Sequence, residues 1–284
     1  MADIRSLGYR SSVLDSNGVY FQLPSNPLPH TVVLQTNQLF TQRPTPTSEM
    51  LGNMINELDR LGTRGGNEAA VVTCFSNGRL FPVTLPTALY VYSMAYIGRH
   101  LIPDNPNTSD AIPQPRPDLM YGYPIQAFTQ TQRGILARLH AEISRYSQAY
   151  GDLCFPFLVV EVKAAAGTRG DHWVAANQCA GGSAACLQAL NQLNLVVGEA
   201  GCLGQIPNFC YSLVIDNNLG QLYVSWEDGG YHIQRVASFL VSDPDHLARL
   251  YWCFAAILEW GVRRLGEVRA AVDYINQQTV REAP

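Results

Sequence analysis

The hydrophobic pattern divides the chain into blocks that read as helices and strands. The sharpest is FPFLVVEVK at 155–163, nearly unbroken in apolar residues, as a central strand covered on both faces must be. Earlier, Met50, Leu51, Met54, Ile55, Leu58 and Leu61 recur at helical spacing. With Thr47 or Ser48 as cap and Gly62 after the last apolar position, they predict a helix over about 48–61. AAVVTCF and RLFPVTL flank Ser-Asn-Gly and predict a β-hairpin, its second strand restricted to an edge by Pro82. From about Thr87 to Leu101 the pattern fits a helix and a strand equally. LMYGY at 119–123 predicts a short aromatic strand after a loop rich in Pro, Asn and Asp. Thr129 to Tyr150 reads as one helix, with Ile135, Leu136, Leu139 and Ile143 on its apolar face.

A second long helix is predicted from Trp173 to about Leu195. FCYSLVIDN, QLYVSWED and YHIQRVASFL then follow, separated by Asn-Asn-Leu-Gly and Asp-Gly-Gly turns, and predict an antiparallel meander. Ser242-Asp243-Pro244 opens a final helix running to about Gln277. This order predicts an α/β fold: a mixed central β-sheet flanked by helices, with the long C-terminal helix packed across it. Residues 1–46 mix Pro, Asn and Ser with short apolar patches. They are expected to form an irregular arm packed on a single domain over 47–284.

Composition narrows the class. Hydrophobic residues make up 47% and charged residues 15%, which excludes a disordered chain and fits a globular one. The longest apolar stretch, Leu250 to Leu258, is too short to span a bilayer and is followed by Glu259. The N-terminus has no signal-peptide core, so an intracellular site, cytoplasmic or nuclear, and no membrane partner are expected. Seven cysteines without a close CxxC pair predict reduced thiols rather than a zinc site. A net charge of −4 argues against a broad basic surface, so any nucleic acid must be met by a local groove.

The candidate chemistry lies at the end of the apolar strand. Glu161 and Lys163 stand two residues apart, so both side chains leave one face. Charges on a buried strand must be paired or bind an ion, because desolvation otherwise costs several kcal/mol each. Lys163 is the only lysine among 19 Lys plus Arg. Asp118 opens the LMYGY strand, and an antiparallel pairing with 155–163 would set it beside Glu161. Asp152 precedes the apolar strand itself, which at ~3.3 Å per residue leaves it roughly 30 Å from Glu161. Further acids are available in Glu142 on the intervening helix and in Glu49 and Glu57 on the first. Arg116, Arg169 and His172 flank these segments as possible phosphate contacts. A thiol hydrolase built on His172 and Cys179 lacks a third group.

Pro117-Asp118 before LMYGY, then FLVVEVK, then HWVAANQCAGGSAACL resemble the PD-(D/E)XK nuclease-like domains found in many fungal proteins of unknown role. LGYRSSVLDSNGVYF and ILEWGVRRL extend the similarity toward both ends. The resemblance implies a restriction-endonuclease-like fold and a Mg²⁺- or Mn²⁺-dependent nuclease acting on DNA, or on RNA. It implies Asp118 and Glu161 as metal ligands, Val162 as a carbonyl ligand, Lys163 as the group that positions the attacking water, and Gln178 as a supporting residue. Such hard oxygen donors suit Mg²⁺, which keeps several waters of its own. The alternative is a catalytically silent interaction or effector module on the same fold, which the negative net charge favours.

Overall fold

A computed structural model describes residues 3–41, 43, 46–82, 84–142, 148–164, 172–201 and 205–282. The arm opens with a π-helical turn, Arg10–Leu14, and supplies strand β1 (Val19–Gln22) and helix α1 (His30–Leu39). Helices α2 (Ser48–Arg64) and α3 (Glu68–Asn77) come next. Then follow β2 (Tyr90–Ser93), β3 (Leu119–Pro124), α4 (Gln130–Glu142), β4 (Gln148–Tyr150) and β5 (Leu153–Val162). The chain continues through α5 (His172–Glu199), β6 (Phe209–Ile215), β7 (Leu219–Glu227), β8 (Tyr231–Leu240) and α6 (Pro244–Glu282).

Among the described residues eight strands form one mixed sheet, in the order β1-β8-β7-β6-β5-β3-β2, with β4 paired to β5 off this path. β5 and β6 are parallel, as are β1 and β8, and the remaining pairs are antiparallel. The whole of β5 is buried, as its unbroken apolar run predicts. On one face Val159, Cys210, Val214 and Ile233 pack with Ala175, Ala176, Cys179 and Ala180 of α5 and with Tyr9, Val13 and Leu14 of the arm. On the other, α6 crosses the sheet, and its Trp260 packs among Phe157, Phe209 and Tyr211. Pro244 starts α6, where Asp243 Oδ1 accepts from the N–H groups of Asp245 and His246 at 2.9 and 3.1 Å. No helix among the described residues is long and apolar enough to cross a membrane.

The α/β class, the first helix with its Thr47 cap, the central strand, the meander and the last helix agree with the sequence pattern. The hairpin does not. AAVVTCF lies in α3, because Asn67 accepts from the Ala70 N–H at 2.9 Å and Val71, Cys74 and Phe75 all reach the core on one helical face. Ser-Asn-Gly ends that helix, and RLFPVTL forms no strand among its described residues. The helix from Thr129 does not extend to Tyr150: α4 covers Gln130–Glu142 among the described residues. Tyr150 belongs to β4, which Gly151, at φ 49°, turns back onto β5. Between Thr87 and Leu101 lie β2 and a 3₁₀ turn, Arg99–Leu101.

The arm packs on the domain through regular structure rather than as an irregular strap. β1 adds to the edge of β8. The Arg10 guanidinium lies between the rings of Phe21 and Trp173, 3.5 and 3.7 Å from their centroids, while its Nε donates to Asn177 Oδ1 at 2.7 Å. The start of α5 is thereby clamped to the arm.

Candidate active site

At the end of β5, strand alternation sends Val162 toward α6 and turns Glu161 and Lys163 toward α5. Both charged residues are buried, Glu161 at 2% and Lys163 at 7% exposure. Lys163 Nζ lies 3.4 Å from Glu161 Oε2 and 3.7 Å from Glu68 Oε1. β3 runs antiparallel to β5 with Leu119 opposite Val160. Asp118 therefore comes level with Glu161, and its Oδ2 accepts from the Val162 N–H at 2.6 Å. The two strands pair directly although a whole helix intervenes in sequence.

The backbone completes this arrangement. Lys163 N–H donates to the Ile215 carbonyl at 2.8 Å in the parallel ladder. The N–H and C=O of Val162 consequently leave the strand on the other side, where Asp118 stands. One Asp118 oxygen is engaged by this N–H.

Electrostatics follow from burial. Desolvation, reinforced by Asp118, pushes the Glu161 carboxyl up to about 8. Burial also raises Asp118, opposed by the Val162 N–H and the Lys163 charge. Burial pulls the Lys163 ammonium down, but Glu161, Asp118 and Glu68 outweigh it and hold the group above the ordinary lysine range. Lys163 is thus held as a cation among three acids, Glu161, Asp118 and Glu68.

Two residues missed in the sequence join the site. Glu68 sits in the first turn of α3, and reading that helix as a strand concealed it; Asn67 followed by an acid is the helix-start signal that identifies it. Asp216 follows β6 and is the strand neighbour of Lys163, since Val162 pairs with Ile215. Its Oδ1 accepts from the Asn218 and Leu219 N–H groups at 2.7 and 2.8 Å. Its Oδ2 lies 3.1 Å from His172 Nε2 at the start of α5, a charge contact without good hydrogen-bond alignment. Burial pushes Asp216 up, yet the His172 ring and these N–H groups outweigh that and hold it below the usual carboxylate range.

Other candidates separate. Gln178 lies on α5, and its Oε1 is buried without a hydrogen-bond partner among the described residues. Asp152 is at the opposite end of β5, where its carbonyl accepts from Ile125 N–H. Glu57 pairs with Arg60 on α2, and Glu49 lines a cleft with it between α2 and α3. The Glu142 side chain and Arg169 lie outside the described residues. Arg116 is exposed and its charge acts on Asp118. Cys179 is fully buried with its thiol pushed far up, which makes it a packing residue and no nucleophile.

These residues fit a divalent cation in donor chemistry. Asp118, Glu161 and the Val162 carbonyl offer hard oxygens, and a bound cation would offset the burial that raises the two carboxyls. No group of three or more His, Cys, Asp or Glu among the described residues is gathered to hold a metal by itself.

Fold and site define an α/β protein whose mixed sheet carries a buried acid–lysine cluster at the carboxyl ends of two parallel strands. The chain belongs to the family described as Domain of unknown function (DUF7924), which matches residues 63–272. That range contains Glu68, Asp118, Glu161, Val162, Lys163, Gln178 and Asp216, while the arm and α1 precede it. No curated protein matches the chain.

Proposed function

We propose that this chain is a metal-dependent phosphodiesterase of the PD-(D/E)XK nuclease-like type, hydrolysing phosphodiester bonds of nucleic acid, with DNA preferred to RNA. One observation carries the reading: Asp118 meets the Val162 backbone at 2.6 Å while Lys163 stands 3.4 Å from Glu161 at the same strand end. In this reading Asp118, Glu161 and the Val162 carbonyl hold Mg²⁺ or Mn²⁺. A bound ion would polarise the scissile phosphate and acidify a neighbouring water.

The chain's own groups do the rest. Lys163 is held as a cation by the acids around it. Its role is to orient the attacking water and to stabilise the negative charge that builds on the phosphate oxygens. Gln178 Oε1 accepts a hydrogen bond from that water and fixes its direction. Water oxygen attacks phosphorus, the bond to one ester oxygen breaks, a proton released by the water ends on that leaving oxygen, and the two products are an alcohol and a phosphate monoester.

The test is incubation of purified protein with plasmid and with single-stranded substrates, in Mg²⁺ or Mn²⁺ and in EDTA, beside Asp118→Ala and Lys163→Ala. Metal-dependent cutting by wild type that falls at least ~100-fold in both variants is expected, since one electrostatic donor is worth about that in rate. The saturation of Lys163 by acids and the net charge of −4 favour a second reading, a silent interaction module. It requires that no substrate be cut under any of these conditions.

A further inference from the structure

The sheet edge beside Asp118 carries a row of apolar and aromatic side chains that the core does not use. Tyr90 is 47% exposed, Met94 48% and Tyr96 52%. Tyr90 and Tyr92 lie ring to ring at 4.9 Å. Tyr96 lies under the Arg116 guanidinium, 5.2 Å from its ring centroid. Register places this row relative to the site. Tyr121 meets Phe254 of α6, so alternation along β3 turns Met120 and Asp118 to the other face. Tyr92 pairs with Met120, which sets Tyr90 and Tyr92 on the face that Asp118, Glu161 and Lys163 share.

The backbone at the site end of the row is held in an unusual state. Met94 takes φ 53°, a left-handed conformation that costs an L residue on the order of 1–3 kcal/mol. Its N–H donates to the Asp118 carbonyl at 3.1 Å and its carbonyl accepts from Arg116 Nε at 2.8 Å. The strained residue thus ties the exposed row to both Asp118 and Arg116, while its own side chain remains in solvent.

We propose that Tyr90, Met94 and Tyr96, with Arg116, form a stacking platform for the bases of single-stranded nucleic acid, delivering its backbone to Lys163. This rests on the phosphodiesterase reading for the place of the scissile bond. Aromatic faces accept any base without sequence preference, and an arginine beside them serves both the π-face and a phosphate. A duplex keeps its base faces stacked inside and offers only groove edges and phosphates.

The full chain in EDTA, which prevents cutting, is titrated into fluorescein-labelled 20-nucleotide single-stranded DNA, the matching RNA and the blunt duplex, and anisotropy is read. Single strands are expected to bind at least ~10-fold more tightly than the duplex, and Tyr96→Ala and Tyr90→Ala each to weaken them ~10-fold, with Tyr96→Phe unchanged. Single-strand binding that is sensitive to Tyr96 in a protein that cuts nothing supports the platform while ending the phosphodiesterase reading. Equal affinity for duplex and single strand, unchanged in both alanine variants, overturns the platform even if cutting is intact. Overturning it as well would be self-association that Tyr96→Ala abolishes, in sedimentation, without oligonucleotide binding; the row would then be an interface between copies.

Discussion

Glu161 shows how much one buried carboxyl reveals. Its ordinary value is 4.5, and burial beside Asp118 raises it to about 8. Between these values the folded protein holds a proton that the unfolded chain has released. Stability is therefore full below about 4.5 and falls as pH rises through about 8, and the raised Asp118 adds in the same direction. Denaturant melts at pH 5 and pH 8 without divalent metal are expected to show this loss, and Glu161→Gln to remove most of it. A wild-type protein equally stable at both values would contradict the assignment of Glu161 as a buried, unneutralised acid. Lys163 and Glu161 were legible in the sequence because a charged pair closing an apolar strand needs a partner or an ion. Asp118 depended on an assumed antiparallel pairing, which the β3–β5 register now shows directly. The approach of Glu68 and Asp216 to Lys163 was not legible, since no spacing rule links the first turn of one helix, or the turn after β6, to a lysine at the end of β5.

Helix ends decided more than apolar runs did at the level of elements. In α3 the residues of AAVVTCF favour a strand, and the Asn67 cap and a buried helical face override them. Asn67→Ala is expected to cost ~1 kcal/mol in urea unfolding. Because the same cap starts the turn that carries Glu68, the variant should also loosen the contact with Lys163. At the centre of α6 a Cβ on Gly261 would run into the Phe157 ring, and Tyr123 Oη donates to the Gly261 carbonyl at 2.9 Å. Gly261→Ala should therefore destabilise by about 1–3 kcal/mol through overpacking, despite its gain in helix propensity. A stability equal to wild type in thermal and urea melts would show that α6 can shift away from β5.

For the whole molecule the arm matters most. β1 covers the outer edge of β8, and Arg10 joins Phe21 of β1 to Trp173 at the start of α5. Removing residues 1–22 leaves β8 as an open edge and releases the start of α5, near His172 and Gln178. The truncated protein is expected to melt at a lower temperature and to aggregate with rising concentration, by light scattering. If it instead scatters no more light than the full chain and is equally stable, the arm contributes nothing to the sheet. The class, the central strand, the meander and the long last helix were all visible in the sequence, because each buries a face whose period is written locally. The arm's strand was not, because four residues with mixed polarity carry no period of their own and gain order only from β8.

The sequence by itself determined that a buried strand must end in Glu161 and Lys163, and that helices must enclose it, since burial and alternation are local properties of the chain. Only the tertiary structure decided which groups answer those two charges. Strand order brings Asp118 to the Val162 backbone, the first turn of α3 delivers Glu68, and the parallel partner β6 sets Asp216 alongside, with His172 of α5 on it. Charges select partners across space with no regard for sequence separation, and that choice is made by the register of strands and the ends of helices.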